Sequence, residues 1–206
     1  MNMKRSIVTL AGLAALVSAR PQAAAEHGNL TIEEALELAF GKDALVEKST
    51  LYLTEAELEH AKELCDVEVT GKILRPHVAK REGVLLGTAY FETHEVRTKQ
   101  ETMMIVVDTH NRIGRIEVLA FREPPEYLPR HKWYEQFTGH DLDEDLSLKR
   151  EIRGVTGATL TSVATTDAAR RTLALHQLVL DREEAERKRR EEREREEREK
   201  REKPPQ

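Results

Sequence analysis

The stretch Thr156-Gly157-Ala158-Thr159-Leu160-Thr161-Ser162 carries no charge and no aromatic side chain. Before it, Lys149-Arg150-Glu151-Ile152 reads as a strand end. After it, Val163, Ala164, Ala168, Ala169, Leu173, Leu175, Leu178 and Val179 recur with polar residues between them, the pattern of a long helix. A small-residue turn that opens a helix is a place for an anion. The first backbone N–H groups have no partner within the helix, and the helix dipole is positive there. Gly157 allows a turn at unusual φ, Ala158 keeps the backbone approachable, and Thr159, Thr161 and Ser162 offer hydroxyls or caps. The plainer reading is a capped helix after a turn, with Thr156 as the turn residue.

Upstream, the chain alternates between helical and extended signals. Thr31-Ile32-Glu33-Glu34 reads as a capping box that opens a short helix through Phe40, with Gly41 as its stop. Ala44 to Leu53 reads as extended. Thr54-Glu55-Ala56-Glu57 repeats the capping box and starts a second helix. Its Leu58, Ala61, Leu64 and Cys65 lie on one face, which makes the only cysteine a core residue. The period then becomes two in Val67 to Leu74, Val84 to Tyr90, Thr102 to Val107 and Ile113 to Leu119. Thr109-His110-Asn111-Arg112 reads as a hairpin turn. Three or four antiparallel strands with flanking helices predict an α+β domain.

Phe121 to Phe137 holds Pro124, Pro125 and Pro129, which forbid a regular helix or a central strand. It also holds the only tryptophan. Trp133 and Phe137 are i,i+4 neighbours, so one helical turn clamped onto the core is expected.

Ordered along the chain, these pieces resemble the FMN-binding domain family. Ile116-Glu117-Val118-Leu119 comes first, then Glu123-Pro124-Pro125, then Trp133-Tyr134-Glu135-Gln136-Phe137, then Thr156-Gly157-Ala158-Thr159. The family includes the C subunit of the sodium-pumping NADH:quinone oxidoreductase, the G subunit of the Rnf electron-transport complex and stand-alone exported flavoproteins. The resemblance covers roughly Tyr90 to Leu175. It implies FMN joined through its phosphate to Thr159, a bond made from FAD by a flavin transferase. It further implies that Thr156, Gly157, Ala158, Leu160, Thr161 and Ser162 surround the phosphate, and that Glu123 and Trp133 lie near the isoalloxazine. Two departures stand out. Arg153 occupies a position that is usually acidic, and Pro125-Glu126-Tyr127 replaces the glycines that follow the family's proline.

The ends differ from this middle. Residues 1–25 read as a signal peptide, with Lys4-Arg5, an apolar core from Ile7 to Val17, and small-x-small sites at Val17-Ser18-Ala19 and Ala23-Ala24-Ala25. An uncleaved anchor, with membrane association, is the other reading. Residues 26–180 form the domain. They carry 19 Lys and Arg against 27 Asp and Glu, which argues against nucleic acid as a partner. Residues 181–206 carry 11 basic and 11 acidic residues and no apolar seam. Pairs such as Glu184 with Lys188 predict a charged, solvated helical extension, frayed toward its end. The eight histidines form no metal-binding word, and each reads as a surface or loop residue.

These readings converge on an exported, periplasmic flavoprotein that carries covalent FMN and passes electrons between membrane or periplasmic redox proteins. No acid–base or nucleophile–base pair points to substrate turnover. The alternative is an exported non-flavin scaffold of the same fold that uses its charged tail for contact.

Overall fold

The structure, a computed structural model, describes residues 30–202. The signal segment at 1–25 lies outside the described residues. Both capping boxes form. Thr31 caps α1 (Ile32–Phe40) and Thr54 caps α2 (Glu55–Cys65), each with the reciprocal Glu34 or Glu57 bond. Gly41 ends α1 with φ 84°, and its N–H donates to the Glu37 carbonyl.

Five strands form one antiparallel sheet in the order β1-β4-β5-β6-β7. They are β1 (Leu45–Lys48), β4 (His77–Arg81), β5 (Val84–Glu95), β6 (Gln100–Val107) and β7 (Ile113–Phe121). The short strands β2 (Leu51–Tyr52) and β3 (Ile73–Leu74) pair separately. The sheet is buried on both faces, which is why β6 reads as a nearly continuous apolar run. Ala79, Ala89, Met104, Val106 and Leu119 meet α1 on one face. On the other, Tyr90, Met103, Ile105, Val107, Ile113 and Ile116 meet α2 and the last helix, α4 (Thr159–Glu202). Gly87, at φ 151°, passes so close to β6 that a Cβ there would lie 2.7 Å from the Val107 carbonyl oxygen.

The α+β architecture is as expected, but three local expectations change. Val67 to Lys72 is a loop, and only Ile73–Leu74 is strand. The carbonyls of Cys65 and Glu68 accept from Arg170 Nε and Arg171 Nη1 at 2.8 and 3.1 Å, so this backbone serves α4 and not a sheet neighbour. Lys149 to Ile152 is not a sheet strand either. Lys149 turns at φ 72°, and the Glu151 and Ile152 amides donate back to Asp145 and Ser147. Three histidines are interior rather than superficial. His77 and His176 are buried, and the His94 side chain is 11% exposed. Cys65 is in the core, where burial pushes its thiol pKa up.

α4 takes its direction from the sheet face it covers. The Tyr90 hydroxyl lies 2.8 Å from His176 Nδ1. Two residues along β5, Glu92 pairs with Arg171. Asp167 lies within the electrostatic reach of His94. The helix therefore runs antiparallel to β5, and its first turn lies at the end of the sheet where the β5–β6 hairpin closes. At the other end, Arg182 donates to Glu57 at 2.6–2.7 Å and to the Tyr52 carbonyl at 2.8 Å. Beyond it the helix continues through charged residues that are exposed up to Arg201. Glu184 pairs with Lys188 as expected, while Arg187 and Arg190 pair forward with Glu191 and Glu194. Among the described residues no helix is long and apolar enough to cross a membrane.

Candidate functional site

A turn at residues 155–158 delivers the chain into α4. The Ala158 N–H donates to the Val155 carbonyl at 3.0 Å, and Gly157 sits at φ 88°. A positive φ at the third turn residue is what a type II turn demands, and glycine supplies it without strain. Thr156 occupies the second turn position and is exposed. Ala158 is the N-cap, because its carbonyl accepts the first helical bond, from the Ser162 N–H at 2.9 Å. An alanine cap has no side chain to satisfy the first turn. Among the described residues the N–H groups of Thr159, Leu160 and Thr161 consequently have no capping oxygen.

The four hydroxyls of this stretch separate by environment. Ser162 is buried. Its Oγ donates to the Ala158 carbonyl at 3.0 Å and accepts from the Val155 N–H at 3.2 Å, which locks the turn. Thr161 is buried and donates across to the Tyr127 carbonyl at 2.7 Å. Thr159 is exposed, and its hydroxyl makes no hydrogen bond among the described residues. The buried pair is structural, whereas Thr159 stands free at the helix mouth.

The loop ahead of the turn is held from outside. Trp133, in the short helix α3 (His131–Tyr134), donates its indole N–H to the Arg153 carbonyl at 2.5 Å. Gln136 brackets the same residue. It accepts from the Arg153 N–H at 2.8 Å and donates to its carbonyl at 3.4 Å. The Trp133 ring stacks edge-on against Tyr134 and Phe137, with centroids 5.0 and 5.2 Å away. Arg153 itself is exposed.

Glu123 faces the neighbouring hairpin. Its buried carboxylate accepts from the Thr98 and Lys99 amides at 2.7 and 2.8 Å and pins the β5–β6 hairpin. These bonds, the Thr98 amide foremost, hold its pKa below the usual carboxylate range. Arg97 from the same hairpin lies over the Tyr127 ring, 4.5 Å from its centroid. The hairpin, the Pro125–Tyr127 turn and the mouth of α4 are thus tied in series. Tyr127 and Gln136 have central places that the sequence does not announce. Tyr127 works through its backbone carbonyl, and Gln136 fills an unspecified position between Trp133 and Phe137.

Beside the mouth, Leu160 and Val163 are 51% and 39% exposed, an apolar surface at the start of the helix. A groove of about 530 Å³ begins at Val163 and continues past Thr166, Asp167 and Arg170, opposite Ser147 and Arg150. Thr159, Val163, Thr166 and Arg170 follow the spacing of one helix face. The arrangement offers a free hydroxyl, uncapped amides for an anion, and an apolar ledge leading to a polar groove.

Residues 99–174 match the family model of the FMN-binding domain, consistent with the family suggested by the sequence. The matched segment runs from the β5–β6 hairpin through β6, β7, the Trp133 turn and the first third of α4. It contains every site residue named above except Arg97 and Thr98. No curated protein and no solved structure matches the chain. The match supports a flavoprotein that binds FMN.

Proposed function

We propose that the FMN-binding segment carries its cofactor as a phosphoester on Thr159 and serves as a one-site electron carrier. The observation that carries this reading is the contrast among the hydroxyls. Thr159 alone couples exposure with a place at the uncapped helix mouth. The residues fit the group. The Thr159, Leu160 and Thr161 amides suit the phosphate, and Gly157 and Ala158 leave its approach open. Leu160 and Val163 offer apolar area to the ring. A bound flavin supplies the redox chemistry, and the protein supplies position and electrostatics. Glu123 Oε1 and the Trp133 indole N–H support the site through the hairpin and through Arg153.

Attachment needs help from outside the chain. A threonine hydroxyl is a weak nucleophile, and among the described residues the Thr159 hydroxyl bonds no base, which supports a flavin transferase that uses FAD as the partner. The new bond joins Thr159 Oγ to the FMN phosphorus, the pyrophosphate bond breaks, AMP leaves, and the hydroxyl proton passes to the transferase. Export to the periplasm, read from residues 1–25, would bring this flavoprotein to membrane or periplasmic redox proteins.

The test is co-expression with a flavin transferase and FAD, followed by intact mass and in-gel fluorescence after denaturation. The wild type should carry one FMN adduct. Thr159→Ala should carry none and remain folded, and Thr159→Ser should retain some loading. An adduct that persists in Thr159→Ala and vanishes in Thr156→Ala would move the linkage. If the wild type carries none, Arg153→Asp tests whether the basic residue in the usually acidic position blocks the transferase.

A further inference from the structure

Strand β5 outruns its neighbour on the β4 side. The ladder with β4 ends at the pair His77–Ala89, whereas β6 stays beside β5 as far as the pair Glu95–Gln100. Before His77 the chain leaves this sheet through Pro76, toward β3. The His77 ring closes the end of β4, edge-on to Phe91 with centroids 5.0 Å apart. Beyond that point one edge of β5 has no strand beside it.

The ladder itself tells which backbone groups this leaves open. Along an antiparallel strand, residues alternate between those whose N–H and C=O face one neighbour and those whose groups face the other side. The Val96 N–H donates to the Lys99 carbonyl at 3.1 Å, so Val96, His94, Glu92 and Tyr90 turn toward β6. The Arg122 N–H donates to the Gln100 carbonyl at 3.1 Å, which turns Gln100 toward β7 and Glu101 toward β5, the same alternation. Phe91, Thr93 and Glu95 therefore aim their backbone N–H and C=O groups at the open side, where no protein group meets them among the described residues. An open edge is a template for another strand, and proteins blunt such edges with proline or lysine. Tyr90 to Glu95 contains neither.

A groove of about 630 Å³ follows this edge, with Tyr90 to His94 along it. Val69, Leu74 and Leu175 line the side of α4, and Ile32 lines the side of α1. Walls on both sides admit one extended chain and obstruct the sheet edge of a second globular copy. At the β4 end stand Lys48 and Arg75, both exposed and in no ion pair among the described residues. A strand that continues the line of β4 runs antiparallel to β5, so its C-terminal end arrives at these two cations.

We propose that the open edge of β5 binds the extended C-terminal segment of a partner protein as a further antiparallel strand. Backbone bonds to Phe91 and Thr93 hold it, apolar side chains enter the groove, and its terminal carboxylate meets Lys48 and Arg75. The groove lies away from the helix mouth, because Arg171, which lines it, is about 18 Å along α4 from Thr159. This docking site is independent of the FMN reading.

The experiment selects octapeptides with free C-termini from a phage-displayed random library against the full flavin-free chain, and titrates the enriched peptide by calorimetry. The enriched sequences should alternate apolar residues. Amidating the C-terminus, or the double variant Lys48→Ala with Arg75→Ala, should weaken binding by roughly tenfold or more. Backbone N-methylation at one set of alternate peptide residues should abolish binding, and at the other set should not. In amide hydrogen exchange by NMR, Phe91 and Thr93 should exchange fast in the free chain and slow down with peptide. Failure to enrich any peptide overturns the proposal. So does equal binding of acid and amide, slow exchange of Phe91 and Thr93 in the free chain, or protection confined to the helix mouth or the charged extension.

Discussion

His176 shows how a single buried side chain can set the acid limit of this domain. Burial lowers its pKa from 6.5 to about 4, and the neutral ring takes the Tyr90 hydroxyl on Nδ1. Above pH 6.5 the ring is neutral in both folded and unfolded chains and costs nothing. Between pH 6.5 and 4 the unfolded chain binds a proton that the folded one refuses, so stability falls as pH falls. The full effect is roughly 3 kcal/mol. Urea unfolding at pH 7 and pH 4.5 should show most of that loss, and His176→Gln should flatten the curve across this window. The sequence places His176 among the long helix's residues but not its burial, because a polar residue on a mostly apolar face is settled only by what the facing strand supplies. Tyr90 is that supplier. Thr159 lies at the opposite extreme of legibility. Its neighbours in sequence, Gly157 and Ala158, already mark a turn, although the absence of a cap there becomes visible only in the structure. Its freedom relative to Thr161 and Ser162 emerges only when Tyr127 and Val155 claim the other two hydroxyls.

At the scale of elements, local signals read well and long-range ones poorly. Capping boxes act within four residues, so α1 and α2 begin where Thr31 and Thr54 place them. β5, β6 and β7 follow the apolar pattern. Strand β4 and the loop at 67–72 do not, since pairing with β1 and the capture of backbone carbonyls by Arg170 and Arg171 are decided by distant partners. The bonds by which Glu123 latches the β5–β6 hairpin, to the Thr98 and Lys99 amides, likewise depend on partners more than twenty residues away. Two expectations belong here. Trp133→Phe keeps the stacking with Phe137 but gives up the bond to Arg153. It should cost about 1 kcal/mol of stability, and it should slow transferase-dependent loading by more than that loss explains. Loading time courses beside melting curves will check it. Glu57 binds Arg182 and caps α2, and the Arg182 bonds foremost bring its pKa down to about 2. That support is present above pH 4.5 and is lost as pH falls toward 2. Arg182→Ala should cost about 1 kcal/mol at neutral pH, a value moderated by solvent at this partly exposed pair. The loss should shrink in denaturant melts as pH falls toward 2, leaving the share that comes from the Tyr52 carbonyl.

At the scale of the molecule, the contacts of Arg182 mark where the body ends and the solvated helix begins. Truncation after Arg182 should leave Tm, near-UV signal and flavin content unchanged, and should remove only the far-UV helical signal of the extension. A fall in loading would reveal the extension as part of the transferase contact. Truncation after Leu180 removes the Arg182 anchor as well and should lower Tm. Circular dichroism on the two shortened chains separates these effects.

α4 is made after every strand of the sheet it covers, and that has a consequence for synthesis. The face formed by Met103, Ile105, Val107, Ile113 and Ile116 has no lid until the residues from Thr159 to Val179 exist. At ribosomal rates of about 5–20 residues per second, the growing chain spends seconds with that surface bare. A nascent chain arrested at Gly154 should therefore bind chaperones and hydrophobic dyes, and one arrested beyond the extension should not.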